Sequence, residues 1–291
     1  MTTSLALLAS LLWGTADFLG GTAARRLPAI GVVLVSQAFA LVGMLAVATA
    51  TGAWSDAPGY VGWALAAAVV GLVALVAFYA ALAEGTMGVV APIAGLGVVV
   101  PVVVGVAQGD RPSGWQGLGV ALAVAGVVLA GGPDLRRHPT TGERSSRRPL
   151  LLAALAAVGF GAVLVCVAHG ARSSTVMTLL VMRLTSVVLL GAVVTARRVD
   201  VRSPGSDLIR GSDLAVLALI GAGDVGANAA MAVASTRGLL SVVAVLSSLY
   251  PAVTVLLARA VHHERLQRVQ EVGVVGALAG VVLIASGGGV G

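Results

Sequence analysis

The sequence has no lysine, one cysteine, few aromatic residues and only 10% charged residues. Each shortage excludes something. Without lysine there is no Walker-type Gly-Lys-Ser/Thr turn to cradle a nucleotide, so any uphill work must come from a gradient or an exchange. Cys166 stands alone, which rules out an internal disulfide; inside an apolar run it reads as a small buried hydrophobe. All 18 basic residues are arginine and the formal net charge is +6, yet no basic stripe is interleaved with aromatics, so no nucleic-acid partner is expected. With 58% hydrophobic residues, 291 residues could fill a soluble core but could not cover one with polar surface. The expected solvent is membrane lipid.

What is present is apolar length. A helix needs about 20 apolar residues to cross a hydrocarbon slab of about 30 Å, and the chain offers about ten such runs. They are spans 4–24, 29–50, 61–83, 86–107, 114–131, 149–169, 176–196, 213–234, 238–260 and 269–287. The first has no positive residue ahead of it and continues through Asp17 and Phe18, so it reads as a membrane span rather than a signal peptide. The expected fold class is an all-α, multi-pass membrane protein.

The runs are doubled. Gly88 to Pro101 (GVVAPIAGLGVVVP) returns 150 positions later as Gly238 to Pro251 (GLLSVVAVLSSLYP), and Gly71 returns as Gly221. Trp13-Gly14 matches Phe160-Gly161, and Ala125 to Leu129 matches Ala279 to Leu283. The expected organisation is a five-span repeat over 1–132, a linker over 133–148 and a second five-span repeat over 149–291. Five is odd, so the second copy enters the membrane from the opposite side and the two are inverted repeats. Arginines outside the spans cluster after spans one, three, five, seven and nine, as in Arg25, Arg26, Arg136, Arg137, Arg197 and Arg198. The positive-inside rule makes that side cytoplasmic and puts both termini outside.

Several features together resemble the EamA-domain proteins of the drug/metabolite transporter superfamily. They are the Trp-Gly of span one, the two five-span copies, the Gly-to-Pro stretch of each fourth span, and the acidic residue beyond it in Gly109-Asp110 and His263-Glu264. The resemblance covers nearly the whole chain. It implies ten helices, a central cavity lined by the first four helices of each copy, the fifth helices at the periphery, and export or exchange of small metabolites.

Chemistry is expected where charge is costly, since a charged side chain near the bilayer centre costs about 2.5–3.5 kcal/mol on insertion scales. Asp224 lies in GAGDVGAN, where three glycines thin the helix and Asn228 follows on the same face. The first copy carries Ala74 and Phe78 at those positions, so this polarity belongs to one half. Arg183 of span seven lies at a matching depth. It reads equally as a structural partner of Asp224 and as a bidentate anchor for a substrate carboxylate or phosphate. Asp17 and Trp13 are placed on the cavity, and Tyr250, beside Pro251, reads equally as substrate contact and as packing. His169, His262 and His263 show no metal-ligand spacing, so neither metal nor cofactor is expected. Gly276 and Gly280 form a GxxxG face for pairing, within the fold or in a homodimer.

The functional expectation is a secondary transporter of the cell membrane. It moves a small metabolite, amino acid-like or related, by alternating access, by export, with proton coupling or exchange through Asp17 or Asp224 and Arg183 holding the substrate. The alternatives are multidrug or organic-cation efflux and a non-transporting scaffold or sensor. An enzyme is not expected, because no Gly-x-Ser-x-Gly, no His-Glu-x-x-His and no carboxylate cluster fit for Mg²⁺ is present.

Overall fold

The computed structural model describes residues 2–85, 87–109, 111, 113–130, 148–198, 211–247, 249–262 and 268–286, among which every regular element is helical. Residues 131–147, which hold the expected linker 133–148 except Arg148, residues 199–210 of the loop after span seven, Asp110 and the His263-Glu264 pair lie outside the described residues. The helices are α1 (Thr2–Ala24), α2 (Ala29–Thr51), α3 (Val61–Glu84), α4 (Met87–Gly95), α5 (Val99–Ala107), α6 (Gly114–Ala130), α7 (Arg148–Arg197), α8 (Gly211–Ser235), α9 (Leu240–Ser247), α10 (Tyr250–His262) and α11 (Arg268–Ser286). Among the described residues, six helical stretches are long and apolar enough to cross a membrane.

Spans six and seven, expected as separate helices, are the two limbs of α7, which parts at Ser174. Ser174 is extended (φ −159°, ψ 116°). A Cβ on Gly170 would meet Thr178 at 2.7 Å, whereas eight residues along a straight helix are about 12 Å apart, so the chain reverses here. Ser174 starts the second limb as its N-cap: its Oγ accepts from the Met177 N–H at 3.1 Å, and its carbonyl accepts from Thr178 Oγ1 at 2.6 Å.

Expected spans four and nine are each broken. A 3-10 turn at Leu96–Val98 separates α4 from α5, and α9 ends three residues before α10 begins. In both, the proline picked out by the repeat, Pro101 or Pro251, sits in the first turn of the second piece. A missing N–H costs nothing there, because the first turn's donors have no intrahelical acceptor.

The interior is built of small side chains. Ala6, Ala9, Ala64, Ala67, Ala156 and Ala232 are fully buried, whereas Leu11, Val42, Leu151, Val158, Leu219 and Val275 are more than half exposed. That distribution suits lipid outside and close backbone approach inside. The first limb of α7 packs on α3, and α1 packs on α8. Helix α6 packs on α11, where Gly276 faces the Cα of Gly126, so this glycine of the GxxxG face is used within the fold. The broken helices cross, α4 meeting α10 and α5 meeting α9. Gly14 is pressed against Val253 and the Tyr250 carbonyl, and its repeat partner Gly161 against Val100 and the Gly97 carbonyl.

Two histidine contacts tie helix ends together. Where α1 and α10 finish, Thr22 Oγ1 and His262 Nε2 share a hydrogen bond of 3.0 Å, with Phe18 against the imidazole at 5.2 Å. Elsewhere Gln108 Nε2, beyond α5, lies 3.0 Å from His169 Nε2, and Trp63 stacks on that ring at 4.7 Å. Leu82 touches the α1 end near Gly21, while Trp63 marks the other end of α3. Nineteen helical residues separate them, about 29 Å, which matches the thickness of a hydrocarbon core.

Candidate functional site

Between these two ends, α1, α2, α3, α7, α8 and α10 line a cavity of about 90 Å³. A water needs about 10–15 Å³ of such space, so the cavity has room for several waters or a small solute. Its polar wall is organised by Asp224. Helix α8 can bring this carboxylate close to its neighbours because Gly221 lies against the α2 backbone at Ser36 and Gly223 against Ala16 of α1.

Four side chains bond the Asp224 carboxylate. Trp13 Nε1 donates to Oδ1 at 3.2 Å, and Asn228 Nδ2 donates to the same oxygen at 2.9 Å and to the Asp224 carbonyl at 2.7 Å. Gln37 Nε2 donates to Oδ2 at 3.1 Å, and Arg183 Nη1 lies 2.9 Å from Oδ2. Arg183 Nη1 also donates to Gln37 Oε1 at 2.6 Å, so Gln37 spans the ion pair with both ends of its amide. A carboxylate offers about four acceptor positions, and here they are filled.

The remaining expected residues lie beside this network. Tyr250 meets Trp13 edge to face, with centroids 6.2 Å apart and planes at 71°, and its buried hydroxyl has no hydrogen-bond partner among the described residues. Asp17, 7% exposed, lines the cavity one turn beyond Trp13. It lies within coulombic range of Asp224, Tyr79 and Tyr250, and among the described residues none donates a hydrogen bond to it. Arg183 is 4% exposed, and its Nε and Nη2 are buried without a hydrogen-bond partner among the described residues.

All six expected residues, Trp13, Asp17, Arg183, Asp224, Asn228 and Tyr250, thus line one cavity. Sequence reasoning missed Gln37 and Ser186, which line it too. The available signal was a lone carboxamide in the middle of an apolar run, since a buried amide needs partners as a charge does. It also left the apolar part of the lining unread. That part includes Gly71, Leu72 and Leu75 of α3 and Phe160, Val163 and Leu164 of α7. Among the described residues no three His, Cys, Asp or Glu side chains converge as a metal site would require.

A solved structure described only as the crystal structure of a protein superposes with a TM-score of 0.72 at 20% identity, covering 97% of this chain and 95% of its own. At that identity the likeness concerns the fold alone. No curated protein compared with the sequence matches it. The profile of the EamA-like transporter family matches twice, over residues 1–132 and again over residues 147–286. With both halves of the sequence matched, the chain belongs to the EamA-like transporter family.

Proposed function

We propose that the protein is a secondary transporter of the cell membrane that exports a small, amino acid-like metabolite by alternating access. The observation that carries this reading is a cavity lined by a buried arginine and two carboxylates, with room for a solute, midway between the two tied helix ends. In this reading the broken spans and the two limbs of α7 make ten crossings. Repeats 1–132 and 149–291, joined by linker 133–148, are inverted copies, and the packing supports that arrangement. Exchanging the copies converts α1 on α8 into the first limb of α7 on α3, α4 on α10 into α9 on α5, and the Gly14 contact into that of Gly161.

Roles divide by what each group has free. Asp224 is saturated and holds Arg183, Trp13 and Asn228 in place. Arg183, on the cavity lining, holds a substrate acid group, and Asp17 takes a proton or a substrate cation. The uncompensated carboxylate of Asp17 also favours a second reading, organic-cation efflux. Neither reading includes a bond-making step. The test is counterflow of radiolabelled amino acids in proteoliposomes, with and without a pH gradient. Wild type is expected to accumulate solute against the gradient, and Asp17→Asn to keep counterflow while losing proton-driven accumulation. Counterflow of no amino acid and no organic cation would sink the transporter reading; unchanged proton-driven accumulation in the variant would remove Asp17 from coupling.

A further inference from the structure

The end of α1 and the start of α8 leave a second cleft between them, apart from the central cavity. It has a volume of about 110 Å³ and is lined by Leu19, Thr22, Ala23 and Arg26 on one side and by Asp213 and Val216 on the other. The first four recur at helical spacing and share one face. Helix α1 ends at Ala24, but the N–H groups of Arg26 and Leu27 both donate to the Ala23 carbonyl at 2.9 Å, which carries the turn on to Arg26. Across from them Asp213 lies in the first turn of α8, with Val216 one turn further in.

Two features of this cleft point to a ligand. The first is a gradient of polarity with depth. Asp213 stands eleven residues before Asp224 on α8, about 16 Å, which is close to half of a hydrocarbon core of about 30 Å. The mouth, with Arg26 and Asp213, is therefore at headgroup level, and the floor, with Leu19 and Val216, is where acyl chains begin. The second is an opposed pair of charges that do not meet. Arg26 and Asp213 line one cleft without an ion pair between them, and Asp213 has no hydrogen bond or ion pair among the described residues. An anion alone would satisfy Arg26 and set a like charge against Asp213, and a cation alone would do the converse. A molecule carrying both charges bridges the gap. A quaternary ammonium has no N–H to give a carboxylate, whereas a primary ammonium has three.

We infer that this cleft holds one phosphatidylethanolamine molecule. Its phosphate lies on Arg26, whose five donors allow this beside any other contact, its ammonium on Asp213, and the start of an acyl chain on Leu19 and Val216. Thr22, on the same cleft, bonds His262 at 3.0 Å, so the lipid sits against the contact that ties α1 to α10. Binding of this lipid requires neither transport nor a substrate.

The test is native mass spectrometry of the detergent-purified full chain with equal amounts of dioleoyl phosphatidylethanolamine, phosphatidylcholine and phosphatidylglycerol, alongside thermal stabilisation by the same lipids. Wild type is expected to retain phosphatidylethanolamine about tenfold over the other two, the scale of one charge-assisted hydrogen bond. Arg26→Ala is expected to lose that retention, and Asp213→Asn to hold phosphatidylethanolamine and phosphatidylcholine alike. Val216→Phe fills the floor without touching either charge; it is expected to lower retention too, and serves if Asp213→Asn does not fold. Phosphatidylcholine retained by wild type as well as phosphatidylethanolamine would overturn the ammonium assignment, and phosphatidylglycerol retained as well would overturn the zwitterion. Selective retention unchanged in all three variants would overturn the site, and retention of none of the three lipids would overturn the whole. Stabilisation by O-phosphoethanolamine equal to that by the lipid would overturn the acyl-chain contact.

Discussion

Asp224 and Asp17 are carboxylates in one cavity with opposite surroundings. Asp224 has four side-chain donors and a guanidinium among them at 2.9 Å, whereas Asp17 has none among the described residues. Removing one member of a buried pair strands the other, which costs about 3–5 kcal/mol. Asp224→Asn is therefore expected to lower the unfolding free energy by about that amount, and Asp17→Asn to leave it unchanged or raise it. Thermal and denaturant unfolding in one detergent would measure both; equal destabilisation would show that Asp17 also has a structural partner. The pairing of Arg183 with Asp224 was legible in the sequence because a charge in an apolar run demands a countercharge at its own depth. Gln37 was not. An amide carries no sign, so nothing in a linear string says which charge it serves, and only the crossing of α2 with α7 and α8 supplies both of its partners.

Helices meet here through glycine, and glycines differ by what stands opposite. A Cβ on Gly161 would strike the Gly97 carbonyl and Val100, with backbone that cannot step aside, whereas one on Gly43 has nothing within 4 Å. Gly161→Ala is expected to destabilise the fold, and Gly43→Ala to be neutral or to gain up to about 1 kcal/mol from helix propensity. Unfolding midpoints of the two variants would check this, and a harmless Gly161→Ala would mean that the first limb of α7 can retreat from span four. The repeat made Gly14 and Gly161 recognisable as a pair, because a contact needed twice is written twice. Prolines 101 and 251 marked the broken spans for the same reason. The 3-10 turn at Leu96–Val98 left no signal, since its residues are as apolar as the helices it separates.

At the scale of the whole molecule, the Thr22–His262 and Gln108–His169 contacts sit at the two ends of α3, and the cavity lies between them. The repeat matches the α1 end at Thr22 with His169 and the α5 end at Gln108 with His262, so each end is tied by one histidine in a mirrored place. Alternating access requires each end to part in turn. In a Cys166→Ser background, bridging Thr22→Cys to His262→Cys with a short thiol-reactive cross-linker is expected to abolish counterflow, and reversal of the bridge to restore it. Transport unaffected by a complete bridge would show that this end never opens. Between the ends the Asp224 network ties α8 to α1, α2 and α7, and the packing around it is of another kind. Interlocked large side chains make a packed core bistable, but the buried faces here are mostly alanine and glycine. Such faces are smooth, like the two halves of a plain bearing, so one helix pair can rock over the other without rotamers having to unlock. What resists such motion among the described residues is then polar as well as steric, in contacts such as the two helix-end hydrogen bonds and the Asp224 network.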